Sequence, residues 1–379
     1  MSTFKRKVLH LGGFDPRGAR FYHELLAEQV AAHNAAGLAP TLLLGERGRE
    51  GKDAAWRVTT ADESCTTDIR FLVWDDLVRL HWVKGTGALL RHMAGAYRRF
   101  WRAGEWAITG EVPRGSKVAL VYPGLTMLLA PLACALALWG LLALALHMAG
   151  ISGWWGFPVA AVAGVFAGLA LVKRIHSLWL MRFIIFNDQL ARGKTDPKLD
   201  ERLDRFADAI AQALGEDHDE VLFVTHSNGS ILAMPVMARL LEKRGALPAH
   251  FALVTLGSSI PLVSFRRDAP AYHAACDRVA QASFRWLDLG SLTDGAAIPL
   301  VPPLLGRPVQ APQGLVQLSP RWFRYCDPAT YKLRRRNKYL THFDYLRRLD
   351  RPSPLDYLGL ACANRPLAAS IAAFEAENA

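Results

Sequence analysis

Residues 221–230 read "VLFVTHSNGS", and the fold turns on how they are read. Val221 to Val224 are apolar and β-prone, a run that suits one strand of a buried parallel sheet. After Gly229, "SILAMPVMARLLEKRG" sets Ile231, Leu232, Val236 and Leu240 at helical spacing, with charge gathered near the end. A strand, a tight turn and a helix therefore follow one another, and Ser227 lies in the turn. Such a turn lifts a serine hydroxyl clear of a sheet and holds it at a helix N-terminus, where free N–H groups can stabilise an oxyanion. Close approach of the chains calls for small residues on either side, in the pattern Gly-x-Ser-x-Gly. Gly229 supplies one; Thr225 stands where the other glycine is usual and is expected to crowd the turn.

Strand and helix patterns alternate on both sides of this window. "KVLHLGGF" reads as a strand and glycine loop, and "ARFYHELLAEQVAAHNAAG" as an amphipathic helix ending at glycine. "PTLLLGE", "AAWRVTTA" and "TDIRFLVWD" are further strand candidates. Later, "HFALVTLGSS" and "ASFRWLDLGS" are strands flanking the helix "PAYHAACDRVAQ", and "PLAASIAAFEAENA" closes the chain as a helix. The alternation predicts an α/β fold with a mostly parallel sheet flanked by helices.

Val118 to Val172 contain no Asp, Glu, Lys or Arg. Two apolar spans, 118–146 and 154–172, are joined by the short turn "HMAGISG". The second would make a helix of roughly 29 Å, against a hydrocarbon core of about 30 Å. Pro123 and Pro131 are candidate kinks in the first. A two-helix transmembrane hairpin is expected; a pair of buried core helices is the plainer alternative. Arg98, Arg99, Arg102, Arg114 and Lys117 precede it, and Lys173, Arg174 and Arg182 follow. The positive-inside rule then puts both termini and the α/β part in the cytoplasm, as a multi-pass protein of the cell (inner) membrane. Trp154 and Trp155 would sit at the far interface. "AYRRFWRAGEW" and "HSLWLMRFIIF" suit helices at an anionic membrane surface, or else solvated faces over buried stripes. The expected organisation is residues 1–115 as the first part of the α/β domain, 116–175 as the hairpin insertion, and 176–379 as the remainder. Neither α/β part holds a full sheet alone, so the two must pack together.

The formal charge of +11 over 379 residues invites a nucleic-acid reading. The hairpin flanks account for much of it, and "YKLRRRNK" lacks a recognition module, so no nucleic-acid partner is expected. Five scattered cysteines offer no metal-ligand spacing and argue for a reducing compartment. "MSTFKRKVLHLGG" does not read as a signal peptide, and the alanine- and arginine-rich usage points to a bacterial source. No cofactor or metal is expected: "GGFDPRG" lacks the spacing of a nucleotide fingerprint.

A nucleophilic Ser227 needs a base and a carboxylate to orient that base. Asp294, in the polar loop after "ASFRWLDLGS", is preferred to Asp288, which lies inside the strand pattern; an Asp in "TDG" can also be a plain turn residue. His342 is the one histidine after Asp294 and would complete the order Ser, Asp, His; "FDYLRRL" after it could open a helix. His226 would point away from Ser227 as a packing residue. Backbone N–H groups of Asn228 and of Gly13 or Phe14 are the candidate oxyanion hole, the latter two from the loop in "HLGGFDPRG".

Taken together, "THSNG", "SLTDG", "YLTHFDY" and "HLGGFDP" resemble the nucleophile, acid, histidine and oxyanion loops of the α/β-hydrolase superfamily, of serine esterase or lipase type. The resemblance spans roughly residues 5–83 and 200–379. It implies an acyl-enzyme on Ser227, with His342 as base then acid and Asp294 fixing the imidazole. The expected function is a membrane-anchored serine hydrolase cleaving an ester or thioester, and the hairpin suggests membrane lipids as partners and a lipidic or small-molecule ester as substrate. The alternative is a catalytically inactive membrane scaffold or binding protein on the same fold. The apolar, proline-rich "LVPPLLGRPVQAPQG" could cover a pocket as a lid or lie on the membrane. Oligomeric state is not encoded in any motif.

Overall fold

In a computed structural model, described for residues 3–379, the chain forms an α/β fold with a nine-stranded mixed sheet. The strands are β1 (Phe4–Leu11), β2 (Leu42–Leu44), β3 (Gly48–Glu50), β4 (Asp53–Thr60), β5 (Cys65–Phe71), β6 (Glu220–His226), β7 (Phe251–Leu256), β8 (Arg285–Leu289) and β9 (Leu315–Leu318). Their order is β2-β4-β5-β1-β6-β7-β8-β9, with β3 on β4. From β5 to β9 every pairing is parallel; β2, β3 and β4 are joined by antiparallel pairs. The apolar run around 221 is a central strand because both its faces are covered. Val221 and Phe223 enter one core layer, while Leu222 and Val224 enter the other, as the period of two requires.

β1 lies between β5 and β6 and pairs with both in parallel register. The stretches before and after the hairpin thus share one sheet. Helices Lys198–Ala213, Asn228–Arg244 and Pro270–Ala280 pack on one face, and Gly18–Ala35 and Leu367–Asn378 on the other. Lys198–Ala213 shows why such segments are helical: Leu199, Leu203, Phe206 and Ile210 recur on one buried stripe, and Asp200 and Glu201 sit in the first turn against the helix dipole.

Two helices, Arg114–Met148 and Phe157–Arg174, are long and apolar enough to cross a membrane. They pack on each other through small residues. A Cβ on Gly164 would lie 2.3 Å from the Ala135 Cα, and one on Gly168 2.4 Å from the Pro131 Cα, so the backbones meet where no side chain intervenes. Pro123 and Pro131 both stay inside one continuous helix. Their outer surfaces expose large apolar side chains, among them Leu128, Leu141 and Phe166.

Two open readings are narrowed here. Helix Ser177–Ala191, which takes in "HSLWLMRFIIF" from its second residue on, turns an apolar face inward: Leu180, Met181, Phe183, Ile185 and Phe186 are buried, and Asn187 ties the helix to Asn228 after β6. The apolar side chains that suited a membrane surface serve the core. The proline-rich loop after Asp294 packs on the α/β body. Val301 and Leu304 are buried, the Ser264 hydroxyl bonds the carbonyls of Pro303 and Leu305, and Arg307 pairs with Asp277.

Candidate active site

β6 ends at His226 and the helix Asn228–Arg244 begins at once, so the turn has a single residue, Ser227. Its backbone takes φ 57° and ψ −124°, a region closed to most residues with a side chain and costing about 1–3 kcal/mol. The turn is held from several sides. The Ser227 N–H donates to the Leu256 carbonyl at 2.9 Å, and the Ser227 carbonyl accepts from the Ser230 hydroxyl at 2.5 Å. Gly229 is obligatory for space: a Cβ there would lie 2.3 Å from the Leu11 carbonyl oxygen. Thr225 finds a place in the sheet. It belongs to β6, and its hydroxyl donates to the Val254 carbonyl of β7 at 3.3 Å.

Three distant segments meet at Ser227. Its Oγ lies 2.7 Å from His342 Nε2, and His342 Nδ1 lies 2.8 Å from Asp294 Oδ2. Because a carboxylate only accepts, Nδ1 carries the proton and Nε2 is left to accept from the serine hydroxyl. Asp294 Oδ1 is held by the Ala296 N–H at 2.9 Å. All three side chains are buried, Ser227 at 3 % exposure and His342 at 0 %. Asp288 takes no part: its carboxylate accepts from the Thr255 hydroxyl and the Gln317 amide within the sheet, and burial pushes its carboxyl upward in pKa.

His342 does not precede a helix as expected. It caps the C-terminus of the short helix Lys338–Thr341 and leads into a single 3-10 turn, Asp344–Leu346. Burial raises the Asp344 carboxyl to about 6.

The loop after β1 approaches from the opposite side. A Cβ on Gly13 would stand 2.8 Å from Ser227 Cβ and 3.1 Å from Oγ, so glycine is what admits the loop to the serine. The backbone N–H groups of Gly13, Phe14 and Asn228 find no acceptor within hydrogen-bond distance among the described residues. All three candidates for an oxyanion hole are therefore free donors.

Sequence reasoning missed the residues around this array. His226 does more than pack: Nε2 donates to the His342 carbonyl at 2.8 Å, and its ring lies 4.9 Å from that of His342. Burial first, and the neighbouring imidazole second, hold it neutral far below the ordinary histidine range. Trp179 stands 5.8 Å from the His342 ring and donates its indole N–H to the Phe14 carbonyl at 3.1 Å. The Asn187 amide donates to Asn228 Oδ1 at 2.7 Å, tying helix Ser177–Ala191 to the turn. A histidine directly before the turn was the one visible signal; Trp179 and Asn187 lie in a segment whose composition suited lipid equally well. Compared with family models, curated proteins and solved structures, the chain matches none.

Proposed function

We propose that the chain is a membrane-anchored serine hydrolase with an α/β-hydrolase-like fold, cleaving an ester or thioester. The observation that carries this reading is the continuous hydrogen-bonded line Ser227–His342–Asp294, built on a serine held at positive φ between a strand and a helix. What sets Ser227 apart from an ordinary turn serine is that this strained backbone holds its hydroxyl on His342 Nε2.

In the proposed mechanism Ser227 Oγ attacks the acyl carbon while its proton passes to His342 Nε2. Asp294 holds the imidazole in the required tautomer and offsets the positive charge it acquires. The oxyanion is received by the N–H group of Asn228, at the start of a seventeen-residue helix, together with that of Gly13 or Phe14. The imidazolium then protonates the departing oxygen or sulfur, and water, activated by the same imidazole, releases the acid. The hairpin would anchor the enzyme, its basic flanks placing both ends of the chain on the cytoplasmic face.

Labelling by a fluorophosphonate probe in detergent, comparing the native chain with Ser227→Ala, tests the reading. Labelling confined to the native chain is expected. A folded native chain that stays unlabelled would sink it and leave the membrane scaffold.

A further inference from the structure

Where the hairpin meets the α/β body, a cleft of about 780 Å³ opens between the feet of both apolar helices and the stretch 336–339. Its lining mixes two chemistries. Val118, Leu171, Ile175 and Leu180 supply hydrocarbon, and Arg174, Arg336 and Lys338 supply positive charge. No Asp or Glu lines it. Arginines in the body of the fold such as Arg266 and Arg205 are matched, the first by Glu105, Asp188 and Asp268 and the second by Asp53. Arg174 and Arg336 have no carboxylate partner among the described residues, and Lys338 gives one ammonium proton to the Thr293 carbonyl at 2.9 Å, keeping two. An apolar trough that carries unmatched cations suits an amphiphile with a negative head, and guanidinium pairs with phosphate in two parallel hydrogen bonds.

The cleft adjoins the serine array on its histidine side. Trp179 lines the cleft and stands 5.8 Å from the His342 ring, and Ala296, whose N–H holds Asp294, lines it too. In acyl transfer the histidine gives its proton to the leaving atom, so the leaving group departs on this side. Resting on the hydrolase reading, we infer that the substrate is an acyl ester or thioester whose leaving group bears phosphate, with the chain in the trough and the phosphate on Arg174, Arg336 and Lys338. The Ser227 Oγ–acyl bond forms as the acyl–oxygen or acyl–sulfur bond breaks. The serine proton travels through His342 to the departing atom, and water then splits the acyl-serine to the free acid. Two sources carry this chemistry: an anionic membrane lysolipid and a soluble coenzyme A thioester.

The test is binding by titration calorimetry to the full-length Ser227→Ala chain in a neutral maltoside detergent. The probes are oleoyl lysophosphatidate, oleoyl coenzyme A and the uncharged monooleoylglycerol. At least one phosphate compound should bind roughly tenfold or more tighter than monooleoylglycerol, a charge-assisted margin. The additional change Arg336→Gln with Lys338→Gln, both exposed and foldable, should erase that margin. Preference for lysophosphatidate assigns the membrane source, and preference for the thioester assigns the soluble one; either supports the phosphate site. Equal affinity for all three, or a preference that survives the double change, overturns it. Binding here does not depend on turnover. A phosphate preference in a chain whose native form resists fluorophosphonate would therefore overturn the hydrolase reading while leaving the binding site in place.

Discussion

The turn at Ser227 and the apolar hairpin are built on opposite terms. At the turn, segments far apart in sequence converge, every side chain is buried, and most polar groups have a named partner. The hairpin is local: two neighbouring helices touch through glycine and alanine, and much of the remaining surface is exposed hydrocarbon. The contrast teaches where tolerance to change should lie. A one-atom error at the turn disturbs three segments, whereas the outer face of the hairpin has only its surroundings to satisfy.

The comparison breaks most sharply at the serine array. Ser227→Ala or His342→Ala should lower ester turnover by about 10⁴-fold or more, read in a detergent-based chromogenic ester assay with circular dichroism unchanged. A loss below tenfold would move the chemistry elsewhere. Gly229→Val tests the packing of the same turn. Its new Cβ would meet the Leu11 carbonyl 2.3 Å away, and the overpacking should destabilise the α/β part by about 3 kcal/mol or more. Thermal unfolding measures it; an unchanged midpoint would show that the approach of β1 to the turn is loose.

His226 sharpens the picture without touching substrate. His226→Ala removes the donor that holds the His342 carbonyl, and should cost kcat roughly 10- to 100-fold while KM holds, because the imidazole is misplaced. His226→Asn, which keeps a donor, should recover part of the loss. A merely structural role would show as lost stability with kcat per folded molecule intact.

On the hairpin, Gly164→Leu should part the two helices and cost about 1–3 kcal/mol of hairpin packing. Ester turnover in detergent should stay within a factor of a few. If turnover falls with the hairpin, the two regions are coupled through the cleft at its foot.

The smallest effect belongs to His10, buried beside Tyr357 and pulled down to about 3 by loss of hydration. The folded chain refuses a proton that the unfolded chain accepts below about 6.5, so this group subtracts stability as pH falls from 6.5 toward 3. The slope is at most about 1.4 kcal/mol per pH unit. Thermal midpoints at pH 7 and pH 5 should therefore fall further for the native chain than for His10→Gln. Parallel falls would mean His10 protonates in place.

Period and punctuation were enough to read the strand at 221, the helix after Gly229 and the apolar hairpin, because those signals are local. Ser227, Asp294 and His342 were legible as an ordered set, since each follows a recognisable strand or loop. The surroundings were not. "HSLWLMRFIIF" carries the same residue types whether it faces lipid or a core, and only the sheet beneath it decides. Thr225 looked out of place because its hydrogen-bond partner, the Val254 carbonyl, belongs to a strand still to come. The support that His226 gives to His342 spans 116 positions of the chain, and no local pattern encodes it.

The position of β1 between β5 and β6 also has a bearing on how the chain is made. β1 leaves the ribosome first, and its neighbour β6 comes only after both apolar helices. At ordinary synthesis rates the interval is on the order of ten seconds or more. Through that interval β1 can pair with β5 but presents an open, apolar edge on its other side, the kind of edge that invites wrong partners. If the two apolar helices enter a bilayer in that interval, they would tether that edge and return the emerging chain beside it. In the order of synthesis the hairpin would then act as a clamp that brings the two halves of an unfinished sheet within reach of each other.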